Sequence, residues 1–501
     1  MHRTARSAQA GTRRAGLSDW VLLYTLGLVH PAGPAYAVDA ASPSTEAEEV
    51  DEDALRERLT EREDKRRPLV PWSIEIAGRP LTFSGEYELS PAYVRRRVLG
   101  EAVEEPDRLL FEQGIEAEAF YTFGPALSVF AQLRAGMEED LLPDSFEAVS
   151  DLFVERGEMW LYSEDLFGSH LNLDLGRLHF EDERRFWWDE ELDAVRLAYE
   201  GPKVDIALAL AWELGPNRSD RILVDPEQDE VLRLIGEASW DLVAHHTLEL
   251  FLLHQDDQSP AERPEAAGQD ATDAWLTWFG VRFLGAFDLG HSGLLGYWLD
   301  TARVGGEERL SGLPEDGAVI TGPVRRDVSG WAVDAGVNWI LPLDWEPRLY
   351  AGYARGSGDP TPETGSDRSF RQTGLEANEA GFGSVERFPH FGVLLDPELS
   401  NLGVVTAGAG LSLLRSSSLD LVYHNYRLVE PASSLRNARL EVALTGRHRG
   451  LGEEIDLVLA LEEWDRFEFD LIGSAFRAGR AFGETRDEWS YAAFLAMKVA
   501  F

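Results

Sequence analysis

The stretch that decides the fold is the last one, "WSYAAFLAMKVAF", residues 489–501. Trp489, Tyr491, Ala493, Leu495, Met497, Val499 and Phe501 occupy alternate positions, with Ser490, Ala492 and Lys498 among the residues between them. Successive side chains of an extended chain point to opposite faces, so this alternation describes a strand with one apolar face.

The same period runs upstream. "LTFSGEYEL" aligns Leu81, Phe83, Gly85, Tyr87 and Leu89, and "GIEAEAFYTF" aligns Ile115, Ala117, Ala119, Tyr121 and Phe123. "KVDIALALAW", "WLTWFGVRF", "WAVDAGVNW", "EIDLVLAL" and "FEFDL" repeat the rule. In all, about eighteen such strands are counted, an even number as in bacterial outer-membrane barrels. The connections are sorted. "GPA" (124–126), "EGP" (200–202), "FDLGH" (287–291), "PLDW" (342–345), "RSS" (415–417) and "EEWD" (462–465) are tight. Between them lie the long polar segments 214–229, 256–271, 304–328, 356–401 and 429–452. Such barrels have short periplasmic turns and long extracellular loops. The expected fold is therefore all-β: a transmembrane antiparallel barrel over residues 79–501, integral to the outer membrane. Its closing strand, ending in Phe501, is what barrel-assembly machinery reads.

The rest of the chain agrees. Arg3, Arg6, Arg13 and Arg14 precede the apolar "WVLLYTLGLV" and the small-residue site "AYA" (35–37), which predicts a signal peptide over residues 1–37. Residues 38–78 read as a charged periplasmic leader, partly disordered or helical, with a short solvated helix at Asp53 to Arg67. No later apolar run approaches the ~20 residues of a spanning helix. The absence of cysteine removes disulfides and thiol chemistry. A formal charge of −42 argues against nucleic acid as a partner. Of 47 basic residues, only Lys65, Lys203 and Lys498 are lysine. That favours the planar fork of arginine, which matches carboxylates; codon bias reads the same counts equally well.

Strand parity assigns charges to the lumen. The basic candidates are Arg134, Arg156, Arg196, Arg233, Arg282, Arg348 and Lys498. The acidic ones are Glu86, Glu116, Glu118, Glu158, Asp205, Asp334, Asp420, Asp456 and Asp470. Two readings fit: a guanidinium ladder for an anionic polymer, or cross-strand ion pairs that stiffen the wall.

Several segments, in this order, resemble the alginate export outer-membrane family. They are "GRLHFEDERRFWWDEELDAVRL" (176–197), "YARGSGD" (353–359), "FRQTGLEANEAGF" (370–382), "DPELSNL" (396–402), "DLVYHNYR" (420–427), "GEEIDLVLA" (452–460) and "FRAGRAFG" (476–483). The resemblance implies a monomeric barrel that passes an anionic polysaccharide, a newly made polyuronate, through an arginine-rich constriction. No cofactor and no catalysis are implied, and periplasmic polymer-synthesis or secretion proteins are implied partners. It singles out Arg177, Arg184, Arg185, Arg196 and Arg355, then Gln372, Asn378 and Asn401. Arg177 and Arg355 fall on the lipid-facing parity and need a bulge, for which Gly176 and Gly356 give an opportunity. Where the family's best-known member carries a long plugging periplasmic turn, this chain has only "EEWD".

The alternatives are a diffusion porin for small solutes, whose pore a long inward loop narrows, a carbohydrate-active enzyme, and a plugged structural barrel. "EDERRFWWDEE" (181–191) offers carboxylate pairs of the glycosidase kind. So charged a run is expected to stay ionised and wet. The strand count makes it an extracellular turn between the fifth and sixth strands, with Phe186, Trp187 and Trp188 anchoring the rim. Outer-membrane lipid and lipopolysaccharide are the expected surroundings.

Overall fold

The computed structural model describes residues 72–501, apart from 96–97, 100–106, 142–147, 225–227, 259–273, 311–323, 362–364 and positions 125, 222, 244 and 465. The signal peptide and the Asp53 to Arg67 helix lie outside the described residues.

Nineteen strands form one continuous antiparallel sheet. One is a short ribbon, Trp72–Ile76; the other eighteen close on themselves. The first six are β1 (Arg79–Arg95), β2 (Arg108–Gly124), β3 (Leu127–Leu141), β4 (Ala148–Ser163), β5 (Leu171–Glu181) and β6 (Asp189–Glu200). Next come β7 (Val204–Ala211), β8 (Val231–Val243), β9 (His246–Asp257), β10 (Ala274–Asp288), β11 (Leu294–Leu310) and β12 (Val324–Ile340). The last six are β13 (Arg348–Gly356), β14 (Leu402–Leu413), β15 (Ser417–Leu428), β16 (Gly450–Trp464), β17 (Phe467–Ala478) and β18 (Trp489–Ala500). Each pairs with its sequence neighbours, and β18 returns to β1 from Glu86↔Ala500 to Arg95↔Tyr491. Closure satisfies the backbone groups that an open edge would leave bare in lipid.

The alternation seen in the sequence sets the faces. On β12, Trp331 and Val337 are exposed outward, while Ala332, Asp334 and Asn338 are buried inward. On β18, Trp489, Tyr491 and Leu495 point out, and Ser490 and Ala492 point in. The turns are short at the end carrying Phe501 and long at the other, as the connection lengths require. Near the short-turn end, Phe123, Trp240, Phe287, Trp345, Trp464 and Phe467 are exposed, forming the interfacial girdle of such barrels.

Ribbon residues 72–76 were expected in the leader; instead they pair with β1 from Trp72↔Phe83 to Ile76↔Arg79. Ala77 (φ 53) and Gly78 (φ 82) both have positive φ, as a two-residue hairpin turn matched to strand twist requires.

Candidate functional site: a divided lumen

The β5–β6 hairpin leaves the wall. β4 pairs with β5 only from Ser163↔Leu173 to Met159↔Arg177, and β6 pairs with β7 only from Glu200↔Asp205 to Ala194↔Ala211. Beyond that, residues 178–192 have lost the barrel strands on both flanks. The departure is at Gly176, φ 139, where an added Cβ would lie 2.1 Å from the Met159 carbonyl oxygen. Asn172 and Asp174 are buried before the glycine, and Arg177, Leu178 and Phe180 after it, because the departing hairpin is covered on both faces. The register runs through Gly176 without a bulge on either side, so Arg177 keeps its parity and is buried because the hairpin has left the wall.

The tip of this hairpin is not a wet rim. Asp182, Arg184, Phe186, Trp187 and Trp188 are all buried, because the turn folds across the lumen and docks on the opposite wall. Asp182 organises it, accepting the backbone N–H groups of Arg184 (3.1 Å), Trp187 (2.7 Å) and Trp188 (3.1 Å). Arg184 reaches Asp334 of β12 at 2.6 Å and lies over the Trp298 ring, 4.3 Å from its centroid. Arg282 of β10, fully buried, binds Asp182 (2.5 Å), Asp300 (2.6 Å) and Glu249 (3.2 Å). Trp187 stacks on Phe251 of β9 with centroids 5.0 Å apart. A buried charge with several opposite partners is held firmly, since losing one leaves the rest uncompensated.

The long connection 357–401 also turns inward. Its short hairpin, Glu379–Phe382 with Val385–Pro389, descends the lumen until Ser384 N–H meets Ser418 Oγ at 2.9 Å, at the short-turn end of β15. Val385, Phe388 and Val393 pack there against Val422, Val458 and Ala460. Glu454 of β16 accepts the N–H groups of Leu394 (2.6 Å) and Leu395 (3.0 Å). The two inward elements lock together. Arg185 C=O accepts from Ala377 (3.0 Å) and Asn378 (2.8 Å), and His390 Nε2 donates to Arg184 C=O (2.9 Å). Burial and the neighbouring guanidinium groups hold His390 well below its usual range.

The space left between these elements and the β2–β4 wall is about 270 Å³. Its charged lining includes Glu116, Arg134, Glu155, Arg177, Glu190 and Arg387. Each arginine is already engaged: Arg134 with Glu112 (2.5 Å), Arg177 with Glu213 (2.9 Å) and Glu191 (3.1 Å), Arg387 with Asp189 (3.2 Å). His179, Glu181 and Asp189 also converge beside it, but Arg185 pairs with both carboxylates.

Of the residues expected in the pathway, Arg134 and Arg177 therefore line this space. Arg184, Arg185 and Arg282 hold the hairpin tip. Gln372 and Asn378 pair with one another inside the long loop, at 2.8 and 3.1 Å. Asn401 closes that loop's base through Glu430, accepting its N–H (2.8 Å) and donating to its C=O (3.0 Å). Arg156 bridges to Asp193 through two hydrogen bonds, 3.0 and 2.8 Å, and belongs to the lattice around Arg177. Arg196 pairs with Asp174 (2.9 Å), and Arg233 with Gln255 (3.2 Å). Arg348 grips Asp420 at the barrel's foot, and Lys498 stands between Glu88 and Glu468. Arg355 keeps the outward parity, opposite Val333 and Gly403. Gly356 makes no bulge for it and instead admits the Leu399 carbonyl of the long loop.

The acids divide likewise. Glu86 faces Glu116 across β1 and β2, and Glu118 accepts from Ser84 (2.7 Å). Glu158 accepts from the Trp160 indole (3.0 Å), Asp205 from Gly201 N–H (3.1 Å), and Asp456 lies 3.4 Å from His424. Asp470 sits in register with Ala460 and Ala496. Parity did not point to Arg387, which arrives on the inward hairpin of the long connection.

A closed eighteen-stranded barrel with sorted turns, a polar lumen and an inward constricting loop is an outer-membrane channel of the porin class. Solved structures agree on the fold: Pseudomonas aeruginosa OccK8 (OprE) superposes with TM-score 0.52 at 10% identity, over 84% of this chain and 98% of that one. OccK5 (OpdH) gives 0.51 at 12%, with the same coverage. Within that class, the Alginate export family profile matches residues 110–495, and the chain belongs to that family. The alginate production protein AlgE of Pseudomonas aeruginosa is 28% identical over 375 residues, 70% of this chain and 74% of that protein. The protein of the same name from Azotobacter vinelandii is 32% identical over 143 residues, 26% of this chain and 28% of that protein.

Proposed function

We propose that the chain is a passive outer-membrane channel that exports an anionic polysaccharide, alginate or a related polyuronate, past Arg134, Arg177 and Arg387. The observation that carries this reading is the pairing of each of these arginines with a wall or hairpin carboxylate beside the same narrow space. A uronate entering there exchanges one carboxylate for another on the same guanidinium. The swap is close to isoenergetic, so the polymer meets no deep well, and conduction requires binding weak enough to leave. Family membership supplies the polymer class. The reading needs no cofactor and no chemical step.

A second reading, a selective channel for small anionic solutes, is favoured by the inward loop 357–401, which narrows the lumen as porin constriction loops do. Planar-bilayer recording with polyuronate titrated in separates them. Export predicts anion selectivity and polyuronate block that weakens in R134S and R177S. Block by small carboxylates with none by polyuronate supports the solute channel. Cation selectivity with no polyuronate block sinks export.

A further inference from the structure

Among the described residues, a basic cavity lies outside the lumen. A cavity of about 670 Å³ opens where the outer ends of β15, β16 and β17 meet the connections 429–449 and 479–488. Arg427, Arg447, Arg449, Arg477, Arg480 and Arg486 line it, with His448, against the carboxylates of Glu453 and Asp487. Six arginines around two acids stand out in a sequence with 47 basic and 89 acidic residues. Arg477 binds Glu453 (3.2 Å) and Asp487 (2.6 Å), and Arg449 binds Glu430 (2.5 Å). Arg427, Arg447 and Arg480 are exposed and have no carboxylate partner among the described residues.

Parity places this cavity on the lipid side. Arg427, Glu453 and Arg477 alternate with the inward Tyr426, Glu454 and Phe476, which are buried. Below it the outward wall is apolar: Leu421, Ile455, Leu457 and Leu471 are exposed. Trp489 and Tyr491 stack beside it, with Arg477 over the Trp489 ring. An aromatic belt marks the membrane interface, so the arginines stand at headgroup height above a wall that acyl chains would cover.

We propose that this cavity is a lipid site for the diphosphorylated diglucosamine headgroup of outer-leaflet lipopolysaccharide. Its unpaired guanidinium groups take the phosphates by charge-assisted, bidentate hydrogen bonds. Its apolar wall takes the acyl chains. A soluble polyuronate would gain nothing from that wall.

The test is native mass spectrometry of the delipidated full-length barrel titrated with diphosphoryl lipid A. The wild type is expected to retain one lipid, and R427S/R447S/R480S to bind roughly tenfold or more weakly. The triple Arg→Lys variant, which keeps the charge, should stay close to wild type. Heat-modifiable gel mobility and unchanged conductance verify that each variant is a folded barrel. On the wild type alone, removing both phosphates from the lipid should abolish retention. Equal binding by the triple Ser variant or by dephosphorylated lipid overturns the proposal. So does inorganic pyrophosphate binding as tightly as the lipid, or an oligouronate displacing it.

Discussion

Gly280 tests whether the β5–β6 hairpin tip divides the lumen. It lies on the inward face of β10, and a Cβ built there would sit 1.8 Å from Cζ2 and 2.2 Å from Cη2 of Trp187. Ordinary contact needs about 3.5–4.0 Å, so in G280A the indole must retreat by well over an ångström. It has little room, being stacked on Phe251 at 5.0 Å and close to Trp188 at 6.4 Å. Overpacking of this kind costs about 1–3 kcal/mol. That shifts the balance between docked and released tip by roughly 5- to 140-fold. The same Cβ would lie 2.8 Å from the Thr301 carbonyl oxygen, so β11 must also give slightly. Single-channel recording should show G280A with higher mean conductance or more frequent excursions to a wider level. G473A is the control: its Cβ meets nothing within 4 Å. If G280A traces superimpose on wild type while its tryptophan emission also stays unchanged, the tip does not set the width of the passage.

Four further outcomes are expected. Breaking the Arg348–Asp420 pair in R348M should cost about 3–5 kcal/mol, read as a lower urea midpoint for loss of heat-modifiable mobility; R348M/D420L should recover most of it. Removing a competing acid in E213Q should leave Arg177, whose Nη1 it holds at 2.9 Å, with Glu191 as its remaining carboxylate, and lengthen polyuronate block several-fold rather than shorten it. Burial and the like charge of Glu398 push Glu376 up to about 8. A carboxyl raised in the folded state stabilises fully below its unfolded value of about 4.3 and loses that stability as pH rises through 8. The long loop should therefore loosen progressively as pH rises from about 5 to 8, with channel noise rising over that range in wild type but not in E376Q. Truncating the terminal ring in F501A should lower the yield of assembled barrel, since that ring covers Gly85.

The wall was legible because period-two alternation is local: one glance along "WAVDAGVNW" assigns both faces, and the burial of Asp334 against the exposure of Trp331 follows. The contents of the lumen were less so. "EDERRFWWDEE" has the composition of a solvated turn, and its burial rests on partners as remote in sequence as Arg282, Asp300 and Asp334. Two signals pointed inward. Three adjacent aromatic rings inside a charged run need a surface to cover them, and glycine in the middle of a strand, as at Gly280, marks a close approach. Segment 357–401 likewise carries Phe370, Phe388, Phe391, Leu394 and Leu395, too much apolar area for a loop standing in water. Arg387 was invisible because the five-residue strand that carries it, Val385–Pro389, is too short for an alternation to show.

The ribbon at the base of β1 has a consequence for assembly. It occupies Arg79 to Phe83 on the same edge that β18 occupies from Glu86 to Arg95, and Gly85 and Phe501 exchange backbone hydrogen bonds of 3.1 and 2.9 Å at the junction. The closing strand thus meets a stop. It cannot slide two residues toward the periplasm without displacing Trp72–Ile76, and sliding the other way would strip Phe501 from Gly85. The seam's stagger, and with it the barrel's girth and tilt, is fixed by a five-residue segment that contributes nothing to the circumference.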